Sequence, residues 1–158
     1  MKLYFLRHAD ALDGVKDEER PLSPKGREDS AIIAEYLKEN DVEFDVAYSS
    51  PLVRARETAE IVLPITNDRV WVKLELVDAL RNETSQQEFE RWLQALPEAK
   101  DVLLVGHAPS INEHVCQLLG VERPEAFHMP KAGLACMKTD DGKNAVLKFF
   151  VSPKVLNE

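Results

Sequence analysis

The chain has little from which to build a metal or redox centre. Its 158 residues include two cysteines, Cys116 and Cys136. They lack metal-ligand spacing and both sit among apolar neighbours, so they are expected as reduced, buried thiols. No cofactor follows from them. Long hydrophobic runs are also missing. No segment approaches the roughly eighteen consecutive apolar residues of a membrane span. Leu3–Leu6 is too short for the core of a signal peptide, so a cytoplasmic protein with no membrane partner is expected. Positive charge is scarce as well: 20 Lys and Arg stand against 28 Asp and Glu, a formal charge of −8. The phosphates of a nucleic acid would be repelled over most of such a surface, which excludes nucleic acid as the expected partner. A net charge of this sign still leaves room for a small positive pocket holding one phosphoryl group. No internal repeat, low-complexity tract or linker interrupts the chain. At this length one domain over residues 1–158 is expected, with a sizeable core.

What the chain does contain is an alternation of strand and helix signals. The apolar run Leu3–Leu6 is too short for a helix and reads as a buried strand. Ser23 and Pro24 form a cap-plus-proline start, and Ser30, Ile33, Ala34 and Leu37 fall at helical spacing, so a helix is expected over residues 24 to 39. Val46–Tyr48 is a short strand. Ser50-Pro51 opens a second helix, with Leu52, Ala55, Ala59 and Val62 on one face, expected to end before Pro64. Val70–Leu74 reads as a third strand. Ser85 and Glu88 form a capping box ahead of the apolar stripe Phe89, Trp92, Leu93 and Leu96, which is core rather than a binding feature. Val102–Val105 is a strand, residues 109 to 119 a helix stopped by Gly120, and the end of the chain a hairpin of residues 134–138 and 146–151 turning at Asp141-Gly142. The pattern predicts an α/β fold: a three-layer α/β/α sandwich with a mainly parallel central sheet and an antiparallel element near the C-terminus.

Ligands of such sheets sit beyond the carboxyl ends of the strands. Three groups fall at that edge: Arg7-His8, Ser49-Ser50-Pro51 and Gly106-His107. A neutral imidazole can attack phosphorus directly, provided one ring nitrogen is free and the other is tied as a donor. His8 is the candidate nucleophile, and a plain surface histidine at a strand end is the alternative. Arg7 shifts the balance, since guanidinium grips phosphate through parallel hydrogen bonds. Arg54 lies in the first turn of the second helix and leans toward its N-terminus, within reach of the strand ends. Arg56, two residues on, points to solvent near Glu60. His107 can donate to a phosphoryl oxygen and stabilise the charge in flight. The same histidines with Asp10 would be a poor metal site, because no further ligand cluster accompanies them. His114 and His128 are expected as surface or satisfied histidines.

Four separated segments, in matching order and spacing, resemble the histidine phosphatase superfamily, and most closely its small phosphohistidine phosphatase branch of the SixA type. They are Leu6-Arg7-His8-Ala9-Asp10-Ala11; Arg20-Pro21-Leu22-Ser23 with Gly26; Ser49-Ser50-Pro51 through Arg54-Ala55 to Glu57-Thr58-Ala59; and Val105-Gly106-His107-Ala108-Pro109. The resemblance covers most of residues 1 to 110 and is loose thereafter. It implies a phosphoglycerate mutase-like fold and a phosphatase that removes phosphate from histidine-phosphorylated proteins, such as a phosphotransfer or carrier protein. His8 would be phosphorylated on the way, without metal or other cofactor. Arg7, Arg54 and His107 would surround the phosphoryl oxygens, with Arg20 as an outer contact or, alternatively, an ion pair of Glu18 or Glu19. A monomer is expected.

Two departures stand out. Ala9 replaces the glycine that much of the superfamily carries after the histidine. The carboxylic acid that ester-cleaving members use to protonate an alkoxide has only weak counterparts, Asp78 and then Glu83. An alkoxide gains roughly 10²–10⁴-fold from such an acid, whereas an imidazole leaving group takes its proton from water. The missing acid therefore favours phosphohistidine. The alternatives are a metabolite phosphomonoesterase using Asp78 as acid, and a non-catalytic module that binds phosphoproteins.

Overall fold

The computed structural model describes residues 1–157. Six strands, β1 (Lys2–Arg7), β2 (Val46–Ser49), β3 (Leu74–Leu76), β4 (Asp101–Gly106), β5 (Leu134–Thr139) and β6 (Ala145–Val151), form one sheet in the order β3-β2-β4-β1-β5-β6. The first four pair in parallel, and β5 and β6 are added antiparallel. The expected three-layer α/β sandwich is the observed fold.

β1 lies between β4 and β5 in the middle of the sheet, and helices cover both of its faces, so its apolar run is continuous. Side chains alternate across a strand. Tyr4 and Leu6 pack with Ile33, Ala34 and Leu37 of α1 (Pro24–Glu39) and with Ala55, Ala59 and Val62 of α2 (Val53–Thr66). Leu3 and Phe5 pack with Phe89 and Leu93 of α3 (Gln86–Gln94) and with Ile111 and Val115 of α4 (Ser110–Leu119). The starts of α1 and α3 are as expected, but α2 begins at Val53 after Leu52 with no side-chain cap, rather than at Ser50-Pro51, because the Ser50 hydroxyl is taken up by His107. Ser23 Oγ accepts from the Gly26 amide at 3.0 Å and Ser85 Oγ from that of Glu88 at 3.1 Å. Gly120 closes α4 in the left-handed region. Cys116 and Cys136 are buried, free thiols. No helix among the described residues is long and apolar enough to cross a membrane.

Two further boundaries differ from the expectation. α2 runs through Pro64 to Thr66, because a proline this close to the end forfeits only one ladder bond. The Asn67 amide then closes the turn on the Leu63 carbonyl at 2.7 Å. The third strand is Leu74–Leu76 rather than Val70–Leu74. Val70 and Trp71 are 49% and 83% exposed. They flank a three-residue edge strand that meets only Ala47–Ser49, so their apolar character reflects no buried face.

One glycine sets how the loop after β1 lies. A Cβ on Gly26 would stand 2.1 Å from the Asp10 carbonyl oxygen, so the first turn of α1 and the loop leaving His8 touch backbone to backbone. Gly→Ala inside a helix ordinarily stabilises by about 0.5–1 kcal/mol. Gly26→Ala is expected to destabilise instead, by about 1–3 kcal/mol from overpacking. Urea unfolding checks this, and an unchanged or raised midpoint would refute the contact.

Candidate active site

Parallel pairing of β1 with β4 sets Arg7 opposite Gly106, so the residues that follow, His8 and His107, leave the sheet side by side. Their ring centroids are 5.1 Å apart. The His8 amide donates to the Gly106 carbonyl at 3.0 Å, which fixes the two strand ends together. Both histidines are buried, at 8% and 2% exposure.

The His8 ring is oriented by its own loop. Nδ1 lies 2.7 Å from the Ala9 carbonyl. A carbonyl only accepts, so Nδ1 carries the proton and the lone pair is on Nε2. Ala9 itself is not at positive φ, and its side chain is fully buried in the core. Alanine therefore fits where glycine was the familiar residue. His107 Nε2 lies 2.8 Å from Ser50 Oγ.

The arginines approach from two sides. Arg7 Nη1 donates to the Met129 carbonyl at 2.9 Å, in the segment that leads into β5. Arg54, in the first turn of α2, is 8% exposed. It donates to Asp17, through Nη1 to the carbonyl at 2.7 Å and through Nη2 to the carboxylate at 3.2 Å. Arg56 instead pairs with Glu60 at 2.7 Å, away from this group as expected. Among the described residues, Arg7 Nε and His107 Nδ1 are buried without a hydrogen-bond partner.

Burial dominates the electrostatics. Loss of solvation, with the nearby positive charge of Arg54 and Arg7, pushes His8 down to about 3 against the opposing pull of the Ala9 carbonyl. Burial and then Arg54 push His107 down to about 4, partly offset by Glu83 and Asp17. Burial also lowers Arg7. Both rings are thus neutral near pH 7, which leaves one lone pair on each for chemistry or hydrogen bonding.

The remaining sequence candidates make their bonds outside the histidine pair. Arg20 pins the loop after β1: Nε donates to the Leu12 carbonyl at 2.9 Å, and the guanidinium pairs with Asp13 at 3.2 Å and Asp17 at 3.3 Å. The ion pair expected with Glu18 or Glu19 is thus made to Asp13 and Asp17, the carboxylates that the turn of the loop presents. Asp78 is 85% exposed at its side chain and bonds Arg81 at 2.8 Å. Glu83 is 70% exposed and shares the same arginine at 3.4 Å. Asp10 turns its carboxylate to Ser23 and Lys131, at 2.7 and 2.9 Å, away from the histidines. His128 is exposed. His114 is buried and stacked on Phe89 at 3.6 Å; its Nδ1 donates to Gln86 at 2.6 Å, and burial lowers it to about 3.

Sequence reasoning passed over three participants. Asp17 balances the Arg54 charge, and only an unremarkable acidic loop precedes it in the sequence. Ser50, expected as a helix cap at the strand-end edge, caps no helix and instead sets its Oγ against His107 Nε2. Thr58 Oγ1 accepts from the Ala9 amide at 3.1 Å and donates to the Arg54 carbonyl at 2.7 Å. One hydroxyl thus ties the histidine loop to the helix that carries Arg54. Glu57 beside it holds the Leu22 amide at 2.8 Å and Arg27 at 3.1 Å. Both belong to the Glu57-Thr58-Ala59 motif, the one signal that could have drawn attention to them.

Residues 3–85 match the sequence pattern of the histidine phosphatase superfamily (branch 1). The phosphohistidine phosphatase SixA of Escherichia coli (strain K12) is 30% identical over 156 residues, 97% of this chain and 94% of that protein. The SixA homolog of Haemophilus influenzae (strain ATCC 51907 / DSM 11121 / KW20 / Rd) is 26% identical over 163 aligned residues, 98% of each chain. A solved structure of the protein histidine phosphatase SixA complexed with tungstate superposes with a TM-score of 0.89 at 28% identity, covering 99% of both chains. The chain belongs to the histidine phosphatase superfamily. It is accordingly a hydrolase, a phosphatase of the phosphoglycerate mutase-like fold.

Two measurements test this geometry. His8, His107 and His114 have folded values of about 3, 4 and 3, below an unfolded value of about 6.5. The unfolded chain therefore binds more protons as pH falls. Stability is complete above about 6.5 and is lost below it, by up to about 1.4 kcal/mol per pH unit for each histidine. Urea midpoints in phosphate-free buffer are expected to drop between pH 7.5 and 5.5, and a flat profile would contradict buried neutral rings. Thr58→Val leaves the Ala9 amide unpaired, at a cost of about 1–3 kcal/mol. It is expected to lower kcat more than it raises KM. Full kcat in that variant would show that the tie does not position His8.

Proposed function

We propose that the enzyme removes phosphate from phosphohistidine in proteins, through a covalent intermediate on His8 and without metal. The observation that carries this reading is the oriented, neutral His8, with its Nδ1 proton on the Ala9 carbonyl at 2.7 Å and its Nε2 lone pair free. In the first step Nε2 attacks phosphorus as the bond to the substrate imidazole breaks, and that imidazole takes a proton from water. In the second, water attacks the phosphoryl group, the Nε2–phosphorus bond breaks, and inorganic phosphate leaves with His8 neutral again.

Arg7, Arg54 and His107 supply the electrostatic part. A buried polar atom without a partner costs about 1–3 kcal/mol. Of the four such atoms among the described residues, Arg7 Nε and His107 Nδ1 lie at this site and suit phosphoryl oxygens, so an arriving group gains hydrogen bonds that cost no water shell. Charge building on those oxygens strengthens them further. The Arg54 guanidinium would pass from the Asp17 carboxylate to the phosphoryl group. Arg20 acts one step removed, since it holds Asp17 and the loop around it. Tungstate in the related SixA structure is a tetrahedral oxyanion and supports a phosphate-sized pocket here.

The leaving group decides between substrates. Asp78 and Glu83 are both exposed and both engaged by Arg81, which leaves neither as a protonated, buried acid of the kind an alkoxide requires. The reading extends to one catalytic domain over the whole chain, acting as a monomer in the cytoplasm. His8→Ala is expected to abolish phosphate release from a histidine-phosphorylated carrier protein, while a chelator leaves the wild type unaffected. Asp78→Asn is expected to retain full turnover. Loss of ester turnover in Asp78→Asn, with small esters preferred by the wild type, would move the assignment to a metabolite phosphomonoesterase. Tight phosphate binding with no turnover of any substrate would make it a binding module.

A further inference from the structure

One surface feature runs against the acidic character of the chain. A cleft of about 650 Å³ lies between the loop after β1, the first turns of α1, the approach to β5 and the C-terminal helix α5 (Pro153–Leu156). Arg7, Lys25, Lys131 and Lys154 line it against two carboxylates, Asp10 and Asp29. The groove along the outer side of α1, by contrast, carries Glu28, Glu35 and Glu39. Arg7 belongs to both the cleft and the histidine pocket, so an occupant of the cleft adjoins the phosphoryl group.

We propose that this cleft docks an acidic segment of the same protein that presents the phosphohistidine, an inference that rests on the phosphohistidine reading of the pocket. The cations are available for exchange. Lys25 pairs with Asp29 at 2.8 Å and Lys131 with Asp10 at 2.9 Å, with the lysine side chains 73% and 48% exposed. The aspartates are the less exposed partners, at 14% for Asp29 and 33% for Asp10, so the solvated ammonium groups are the ends free to turn to carboxylates of a partner. Asp10 keeps its 2.7 Å bond from the Ser23 hydroxyl when Lys131 turns away. Pro130 and Pro153 add fixed apolar wall against which a peptide can lie.

Charge distribution favours a protein segment over other anions. With a net charge of −8, most of the surface repels an acidic partner, and the cleft is where approach is favourable. Attraction at one concave mouth and repulsion elsewhere orients the encounter. An extended polyanion, such as DNA or an anionic bilayer, would contact the repelling surface as well.

The test compares two substrates: a histidine-phosphorylated phosphotransfer protein with an acidic surface, and free phosphohistidine. In the triple variant Lys25→Gln, Lys131→Gln, Lys154→Gln, KM for the protein is expected to rise about tenfold, the sum of three exposed pairs. Turnover of free phosphohistidine should stay within about twofold, because screening and exposure confine the effect to the rim. Added salt should raise the wild-type KM for the protein toward that of the variant. Should the triple variant fail to fold, Lys154→Glu alone carries the same comparison. Equal effects on both substrates, or none on the protein, would overturn the docking site. Tighter binding of DNA or of phosphatidylserine vesicles than of the phosphotransfer protein would overturn its acidic-segment occupant. Absence of wild-type turnover of both substrates would instead overturn the reading of the pocket.

Discussion

The parallel register of β1 on β4 is the constraint on which the site depends. Opposing Arg7 to Gly106 makes both strands end at one level, and each next residue is a histidine. A shift of one residue would turn the Arg7 side chain to the other face and move Tyr4 and Leu6 out of the core they share with α1 and α2. Packing on both faces therefore holds the register, and the register holds His8 beside His107. The histidine pair inherits its placement from the burial of ordinary aliphatic side chains.

Burial that positions the pocket also sets its chemistry. The interior denies solvation to His8 and His107, which keeps them neutral. Each arginine is given an oxygen partner, the Met129 carbonyl for Arg7 and Asp17 for Arg54. Neutral imidazole and charged guanidinium are opposite protonation demands met in one pocket. They are met by giving the cations partners and giving the Nε2 of His8 none. The loop of residues 9–22 completes this arrangement, docked on Gly26, pinned by Arg20, and joined to α2 at its two ends through Thr58 and Glu57.

Much of this could be read from the chain. β1 and β4 announced themselves because central parallel strands are apolar on both faces, and the starts of α1 and α3 because their capping residues are local. His8, His107, Arg7 and Arg54 were readable as a set, since strand ends and first helical turns fix their positions from short stretches of sequence. Other parts depend on contacts distant in sequence. Trp71 looked like strand material, but only the position of β3 at the sheet edge decides that it faces solvent. Nothing near Asp17 in sequence says that it meets Arg54, 37 positions on. His114 carried no sign of its place under Phe89. The basic cleft assembles lysines from α1, the approach to β5 and the C-terminus, a juxtaposition that the sequence order conceals.

The central claim is that phosphorus passes through Nε2 of His8, and the most direct measurement is rapid quench with a substrate protein carrying radiolabelled phosphohistidine. Within the first turnover the account predicts label on the enzyme, stable to base and labile to acid as a phosphorylated imidazole is, and mapping to the peptide that contains His8. Label released to phosphate at the full single-turnover rate with none trapped on the enzyme, or label found on another residue, would contradict it.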